Sequence, residues 1–242
     1  MPTFPVRDDE LPQGVGTGGP EVPIVPAASA ILLRGDPFEV LLIRRHDRSA
    51  YAPGAWVFPG GLVDPVDRRV APGDNAERRA CAVRETLEEV GVWLGDHPET
   101  ALAQREAVLR EPASFAALWP QARPEELVFC ARWITPVGIP RRFDTCFFLA
   151  QVSADTAAVP DLREGSEVRW LRPAAALAAH AAGMLRMLYP TVRHLEDLGR
   201  FPTAEKLLSR WRGATVEIVR PVLVIEGGRK ALILPDPPDL LA

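Results

Sequence analysis

Phe58-Pro59-Gly60-Gly61 and, 22 residues further on, Arg84-Glu85-Thr86-Leu87-Glu88-Glu89-Val90-Gly91 are the stretch on which the reading of this chain turns. Positions 85, 88 and 89 stand at i, i+3 and i+4, so a helix places three carboxylates on one face within a single turn. Like charges at that spacing destabilise a helix unless something cationic neutralises them. Val92, Trp93 and Gly95 follow, so the next turn supplies no lysine or arginine. A divalent metal would relieve the repulsion. Oxygen-only ligands, with positions left for water and phosphate, suit Mg²⁺ or Mn²⁺. In a chain of this composition the pattern R-E-x-x-E-E-x-G arises by chance with a probability on the order of 10⁻³. A solvated acidic face is the plainer alternative, but it leaves Gly61 upstream and Gly91 at the helix end without a purpose.

Outward from that stretch, helical spacing runs from Asp74 to Val90, with Asp74 as candidate N-cap and Glu77 at capping-box distance. Gly91 is placed to end the helix. Ala28–Leu33 and Val40–Ile43 are apolar runs around a Gly35-Asp36-Pro37 turn, which predicts a hairpin. Residues 99–119 read as helical with a break at Pro112. Leu127–Ile134 and Phe143–Val152 read as strands, and Glu167–Leu171 as a short one. Helices are expected over 174–188, 190–198 and 203–212, the apolar stripe Met184, Leu185, Met187 and Leu188 packing the first of them. Val222–Ile225 and Ala231–Leu234 predict a closing hairpin around residues 226–229. Strands mixed with helices predict one α/β domain with a mixed sheet and a helical C-terminal extension, residues 24–242. Residues 1–23, dense in proline and glycine, read as a flexible tail.

The 242 residues are 47% hydrophobic and 25% charged, ordinary for a globular chain long enough to bury a core without disulfides. A formal charge of −4 argues against a nucleic-acid partner. Of 28 basic residues only Lys206 and Lys230 are lysines. With 25 prolines, that points to a GC-rich coding bias and lowers the weight of any arginine cluster. Three cysteines, none at metal-finger spacing, fit a reducing cytoplasm. Neither a signal peptide nor a membrane span is expected.

Arg84-Glu85-Thr86-Leu87-Glu88-Glu89-Val90-Gly91-Val92 resembles the second half of the Nudix box, and Phe58-Pro59-Gly60-Gly61 resembles its start. The resemblance implies an α/β/α sandwich and hydrolysis of a diphosphate linked to another moiety, by water attack assisted by Mg²⁺ or Mn²⁺. Carried over by position, Glu88 and Glu89 would be metal ligands. Glu85 would be a further ligand or would help to activate water, so Glu85, Arg84 and Glu88 form the implied catalytic group. Arg84 would orient Glu85 by a charge-assisted bond, and the Gly61 backbone would lie against the metal. The box ordinarily carries a glutamate eight residues before the arginine. Ala76 stands there, and the spacing from Gly61 is nine residues longer than usual, through Asp64–Ala71. Glu77, seven residues before Arg84, is the candidate replacement.

Features outside the box are similar to the acyl-CoA diphosphatase branch called Nudix motif 19, which also carries an insertion within its box. They are the approach Leu41-Leu42-Ile43-Arg44-Arg45 with Pro53–Gly61, the stretch Trp133-Ile134-Thr135-Pro136 before Arg141-Arg142-Phe143-Asp144-Thr145, and Glu164, Glu167, Trp170 and Pro173. The resemblance therefore implies CoA or acyl-CoA as substrate, cut to 3′,5′-ADP and 4′-phosphopantetheine, with Arg45, Arg141 and Arg142 meeting phosphate. Arg141 and Arg142 could equally be a solvated pair. Glu167 is an accessory carboxylate candidate, although a strand-edge glutamate is more often only solvent-facing. Trp133 could stack on a base, but a strand tryptophan is more often core. His46, His97, His180 and His194 show no ligand spacing and receive no role, His194 being read as exposed. Cys81 is read as packing. The alternatives carried are a nucleotide-sugar, dinucleotide or (d)NTP pyrophosphatase, and a non-catalytic Nudix-fold binding module. The expected partner is a small-molecule diphosphate, with no nucleic acid and no membrane; a homodimer is the one protein partner considered.

Overall fold

In the computed structural model, which describes residues 3–15, 22–163, 165–226 and 229–234, the chain runs through seventeen regular strands and α-helices among those residues. In order they are β1 (Thr3–Pro5), β2 (Ile24–Arg34), β3 (Glu39–Arg45), β4 (Trp56–Val57), β5 (Gly60–Leu62), α1 (Pro65–Val70), α2 (Asp74–Val90) and α3 (Pro98–Arg110). There follow β6 (Val128–Ile134), β7 (Arg142–Gln151), β8 (Gly165–Leu171), α4 (Pro173–Ala181), α5 (Tyr189–Leu198), α6 (Ala204–Trp211), β9 (Ile218–Val219), β10 (Val222–Glu226) and β11 (Arg229–Ile233).

β2 is the spine. It pairs antiparallel with β3 at Leu33–Val40, antiparallel with β5 at Ala27–Ser29, and parallel with β7 along Ile24–Leu33. The main sheet runs β4-β3-β2-β7-β6-β9, with β8 on β3 and β5 on β2. Side chains alternate across a strand, so one strand serves both faces. Ile31 and Leu33 enter a core shared with Leu195, Leu198, Leu207 and Trp211 of α5 and α6. Ala28, Ala30 and Leu32 enter the opposite core with Ala80, Val83, Leu87 and Val90 of α2. Burying each of the large aliphatic side chains contributes about 2 kcal/mol. The result is the expected α/β/α sandwich with a mixed sheet and C-terminal helices.

Asp74 begins the long helix, but Gly73 is its cap; the Asp74 carboxylate instead accepts from Arg78 Nε at 2.9 Å and Arg132 Nη1 at 3.1 Å. At the other end Gly91 adopts φ 62° and its N–H donates to Leu87 O, as its position predicts. Residues 174–188 are not one helix. α4 stops at Ala181, Gly183 turns left-handed at φ 74°, and Met187 bridges Trp56 in parallel. The apolar stripe is thus split: Leu185, Met187 and Leu188 are buried in an extended segment, and Met184 is 71% exposed. Of the proposed tail, residues 3–15 are partly ordered: β1 pairs with β11, and Val6 and Leu11 are buried. Val6 and Leu11 are held by packing in the core rather than by any local pattern. Residues 16–21, Glu164 and the Gly227-Gly228 tip of the closing hairpin lie outside the described residues. No helix among the described residues is long and apolar enough to cross a membrane.

Candidate active site

The strand β5 brings a glycine pair against α2. Pro59 O accepts from Ala30 N–H at 2.9 Å and from Ser29 Oγ at 2.8 Å, which presses the loop onto β2. A Cβ at Gly60 would collide with Ala28 O, and one at Gly61 would collide with the Glu85 carboxylate. Only glycine fits both positions, so the loop backbone and the helix carboxylates lie in direct contact. Gly60 N–H donates to Glu89 Oε2 at 2.8 Å. Cys81, fully buried, packs its Sγ 3.5 Å from Gly61 O and 3.4 Å from Leu62 O.

Arg84 is buried and organises the carboxylates. Its Nη1 lies 2.8 Å from Glu85 Oε1 and 2.7 Å from Glu88 Oε2. Its Nε and Nη2 donate to Asp67 at 3.0 and 2.9 Å, and Nη2 also donates to Leu62 O. Burial by itself disfavours its charged form. The Glu85 charge and the Asp67 hydrogen bonds outweigh that and hold the guanidinium protonated well above the usual arginine value. The turn after the glutamates holds no cation, and Arg84, one turn before Glu88, supplies part of the neutralising charge.

Asp67 escaped sequence reasoning. It is fully buried on α1, the helix formed by the inserted residues, and its Oδ2 also accepts from Asp64 N–H at 2.8 Å. The signal was present: Asp64-Pro65 is an N-cap followed by proline at the first helical position. Asp67 lies six positions after Gly61, so counting forward from the glycine finds it where counting back from Arg84 finds Ala76. Glu77, the proposed replacement, sits 3.6 Å from Arg68 of α1. The structure therefore brings Asp67, and not Glu77, to Arg84.

Among the described residues no three His, Cys, Asp or Glu side chains converge into a ready-made metal cluster. The donor set of Glu85, Glu88 and Glu89 is nonetheless hard and oxygen-only, and the missing Cβ of Gly61 lets the Glu85 carboxylate lie against the loop backbone. Such a donor set fits a small divalent cation.

Beside the glycine pair opens a cavity of about 360 Å³ lined by aromatic side chains, among them Tyr51, Phe58, Trp133, Phe143, Phe147 and Tyr189. Arg45 and Arg141 also line it, Arg45 steadied by a 3.0 Å bond to Tyr51 O. Arg142 does not line it: its side chain is buried and donates to Thr135 O at 3.0 Å, closing the β6–β7 connection. Glu167 on β8 accepts from Arg169 Nε at 2.7 Å, away from the cavity lining. Trp133 is both core and cavity wall. His194 is a correction: it is buried among Phe147, Trp133 and Phe58, because it falls on the inward face of α5. Burial, with help from Arg193, pushes its pKa down to about 3.

Residues 23–190 match the family model described as NUDIX domain. The acyl-coenzyme A diphosphatase NUDT19 of Xenopus laevis is 27% identical over 236 residues, covering 70% of this chain and 62% of that protein. A Caenorhabditis elegans relative named for the nudix hydrolases is 31% identical over 182 residues, covering 72% of this chain and 60% of its own length. The chain thus spans somewhat less than two thirds of these two relatives. A crystal structure of a NUDIX hydrolase from Alicyclobacillus acidocaldarius is similar at a TM-score of 0.68 and 27% identity, over 77% of this chain and 96% of that one. A family match across most of the chain, and a glycine loop packed on a carboxylate-bearing helix within the same fold, place this chain in the NUDIX domain family.

Proposed function

We propose that this chain hydrolyses a diphosphate linkage with the help of a divalent metal, Mg²⁺ or Mn²⁺, and that its substrate is CoA or an acyl-CoA. The observation that carries the reading is the arrangement of Glu85, Glu88 and Glu89 on one turn of α2, the first two paired with Arg84 and the third accepting from Gly60 N–H, beside a glycine pair that lines a cavity. Those three carboxylates would hold the metal, with the Gly61 backbone beside it. The ion would neutralise charge on the bridging and leaving oxygens of the diphosphate.

The remaining work falls to the chain's own residues. Arg84 fixes the direction of Glu85 and Glu88 by charge-assisted bonds, and Asp67 fixes Arg84. Glu85, where it does not itself ligate the metal, would help to activate the attacking water. The water oxygen forms a bond to one phosphorus as the bridging P–O bond breaks, so CoA would give 3′,5′-ADP and 4′-phosphopantetheine. Arg45 and Arg141 at the cavity wall would meet the substrate's phosphates. The choice of CoA is supported by the similarity to relatives named acyl-coenzyme A diphosphatases and by those two arginines.

Competition among CoA, acyl-CoA, dephospho-CoA, ADP-ribose and NADH at equal concentration tests it, with products separated by chromatography. The expected result is preference for the 3′-phosphorylated forms, reduced in Arg141→Ala. Higher kcat/KM on ADP-ribose or NADH would overturn the CoA assignment and leave the diphosphatase reading in place. No hydrolysis of any of the five with Mg²⁺ or Mn²⁺ would overturn the reading as a whole.

A further inference from the structure

Arg186 lies in the extended segment between α4 and α5, and both ends of its guanidinium fork are bound to carbonyls. Nη1 donates to Pro53 O and Nη2 to Leu11 O, each at 3.0 Å. A planar fork can hold two acceptors at once, which the point charge of a lysine does not do. The backbone is stitched the same way, since Arg186 O accepts from Trp56 N–H at 2.8 Å. What is held in this manner is the connection from β3 to β4, residues 46–55. That loop turns at Ala52, whose φ is 48°. Left-handed backbone is uncommon for a residue with a Cβ, and the residue before a proline is pushed towards extended conformations besides. Such a conformation persists only where its surroundings impose it. Ala52 and Ala55 pack on Leu188 in a small buried cluster, Ala55 N–H donates to Ala52 O at 3.2 Å, and Arg186 takes Pro53 O.

Tyr51 passes this constraint on to the cavity. Its carbonyl accepts from Arg45 Nε at 3.0 Å, and Tyr51 and Arg45 both line the aromatic cavity beside the glycine pair. The Tyr51 ring stands edge-on to Phe143, with centroids 5.1 Å apart. We propose that Arg186 is a positioning residue for substrate binding: by holding Pro53 O it keeps Ala52 left-handed, and so keeps the Tyr51 carbonyl where it orients Arg45. The inference rests on the diphosphatase reading, in which Arg45 meets an anionic group of the substrate. The glutamates of α2 stand outside this chain of contacts, being held by Arg84 and by Gly60 N–H. Releasing the clamp should therefore weaken binding and leave the saturated rate near that of the wild type. The other arm of Arg186 ties Leu11 of the N-terminal segment to the same loop.

The test is isothermal titration of the full chain, in EDTA, with CoA and with ADP-ribose separately, as wild type, Arg45→Ala, Arg186→Ala and the double variant. Turnover of both ligands with Mg²⁺ is measured on the same proteins. Expected is a loss of affinity of about tenfold in each single variant and little further loss in the double variant, because both changes remove the same oriented arginine. In turnover the effect of Arg186→Ala should fall on KM, with kcat within about twofold of the wild type. Ala52→Gly added to Arg186→Ala should recover most of the affinity, since glycine takes the left-handed conformation without a clamp. A defect acting through Leu11 or through the core gives no such recovery. Should Arg186→Ala fail to fold, Arg186→Lys serves in the same cycle, with a smaller loss expected. Unchanged affinity in the Arg186 variant overturns the proposal, as do fully additive losses, a loss confined to kcat, or no recovery with Ala52→Gly. Absence of saturable binding of either ligand by the wild type overturns it too. The expected pattern with ADP-ribose alone would sink the CoA assignment, and the expected pattern without any turnover would sink the diphosphatase reading; both spare this inference.

Discussion

Arg84 is a buried cation held from two sides, by Asp67 through two hydrogen bonds and by Glu85 and Glu88 through one guanidinium nitrogen. Asp67→Asn weakens two buried charge-assisted bonds while Arg84 keeps its glutamate partners, so it should cost about 2 kcal/mol in denaturant unfolding. It should also lower turnover, since Arg84 would no longer direct the glutamates. Glu77→Ala, by contrast, should keep the wild-type response to limiting Mg²⁺, because Glu77 pairs with Arg68 of α1. Gly61→Ala drives a methyl group into the Glu85 carboxylate. A displacement of that order in a reacting group costs about a hundredfold in kcat, and steady-state kinetics on the purified variant will read it. At this scale the glutamates and glycines were legible because their spacing states their geometry. Asp67 was not, since its partner is 17 positions away and only the folded insertion brings the two together.

The insertion is itself an element, and its helix is specified locally. Asp64 caps α1 by accepting from Val66 N–H at 2.8 Å, and Pro65 occupies the first turn, where its missing N–H costs nothing. Asp64→Ala should therefore destabilise the chain by about 1 kcal/mol, measured as a shift in the urea midpoint at constant slope. The bounds of α2 could be read because apolar period, acidic cluster and terminal glycine all agree. β3, β6 and β7 were read to within a residue or two from their apolar runs, whereas β2 begins at Ile24, four residues before its apolar run, and the short strands β4, β5 and β9 carry no such run. The segment after α4 resisted, because alanines and methionines look helical until Gly183 turns the chain. β1 resisted as well: it owes its place to β11, more than two hundred residues away, and no local pattern announces that pairing.

At the scale of the whole molecule, the aromatic cavity lies between the glycine loop and the C-terminal helices, with residues from both ends of the chain, Leu11 and Leu232, in its wall. His194, packed on Phe58, Trp133 and Phe147, couples the core to pH. The folded protein keeps the ring neutral down to about pH 3, whereas the unfolded chain takes up a proton below about 6.5. Stability is therefore complete above pH 6.5 and erodes as pH falls from there toward 3, by an amount on the order of 3 kcal/mol at pH 4. His194→Phe should flatten that part of the stability–pH curve, with chemical denaturation at a series of pH values as the readout. The most direct measurement of the central claim is turnover of CoA by wild type, Glu88→Gln and Glu89→Gln, each with Mg²⁺ and with excess EDTA. The account expects hydrolysis by the wild type with Mg²⁺, and a loss of at least about a hundredfold in EDTA and in each variant. Undiminished turnover in EDTA, or in both variants, would contradict it.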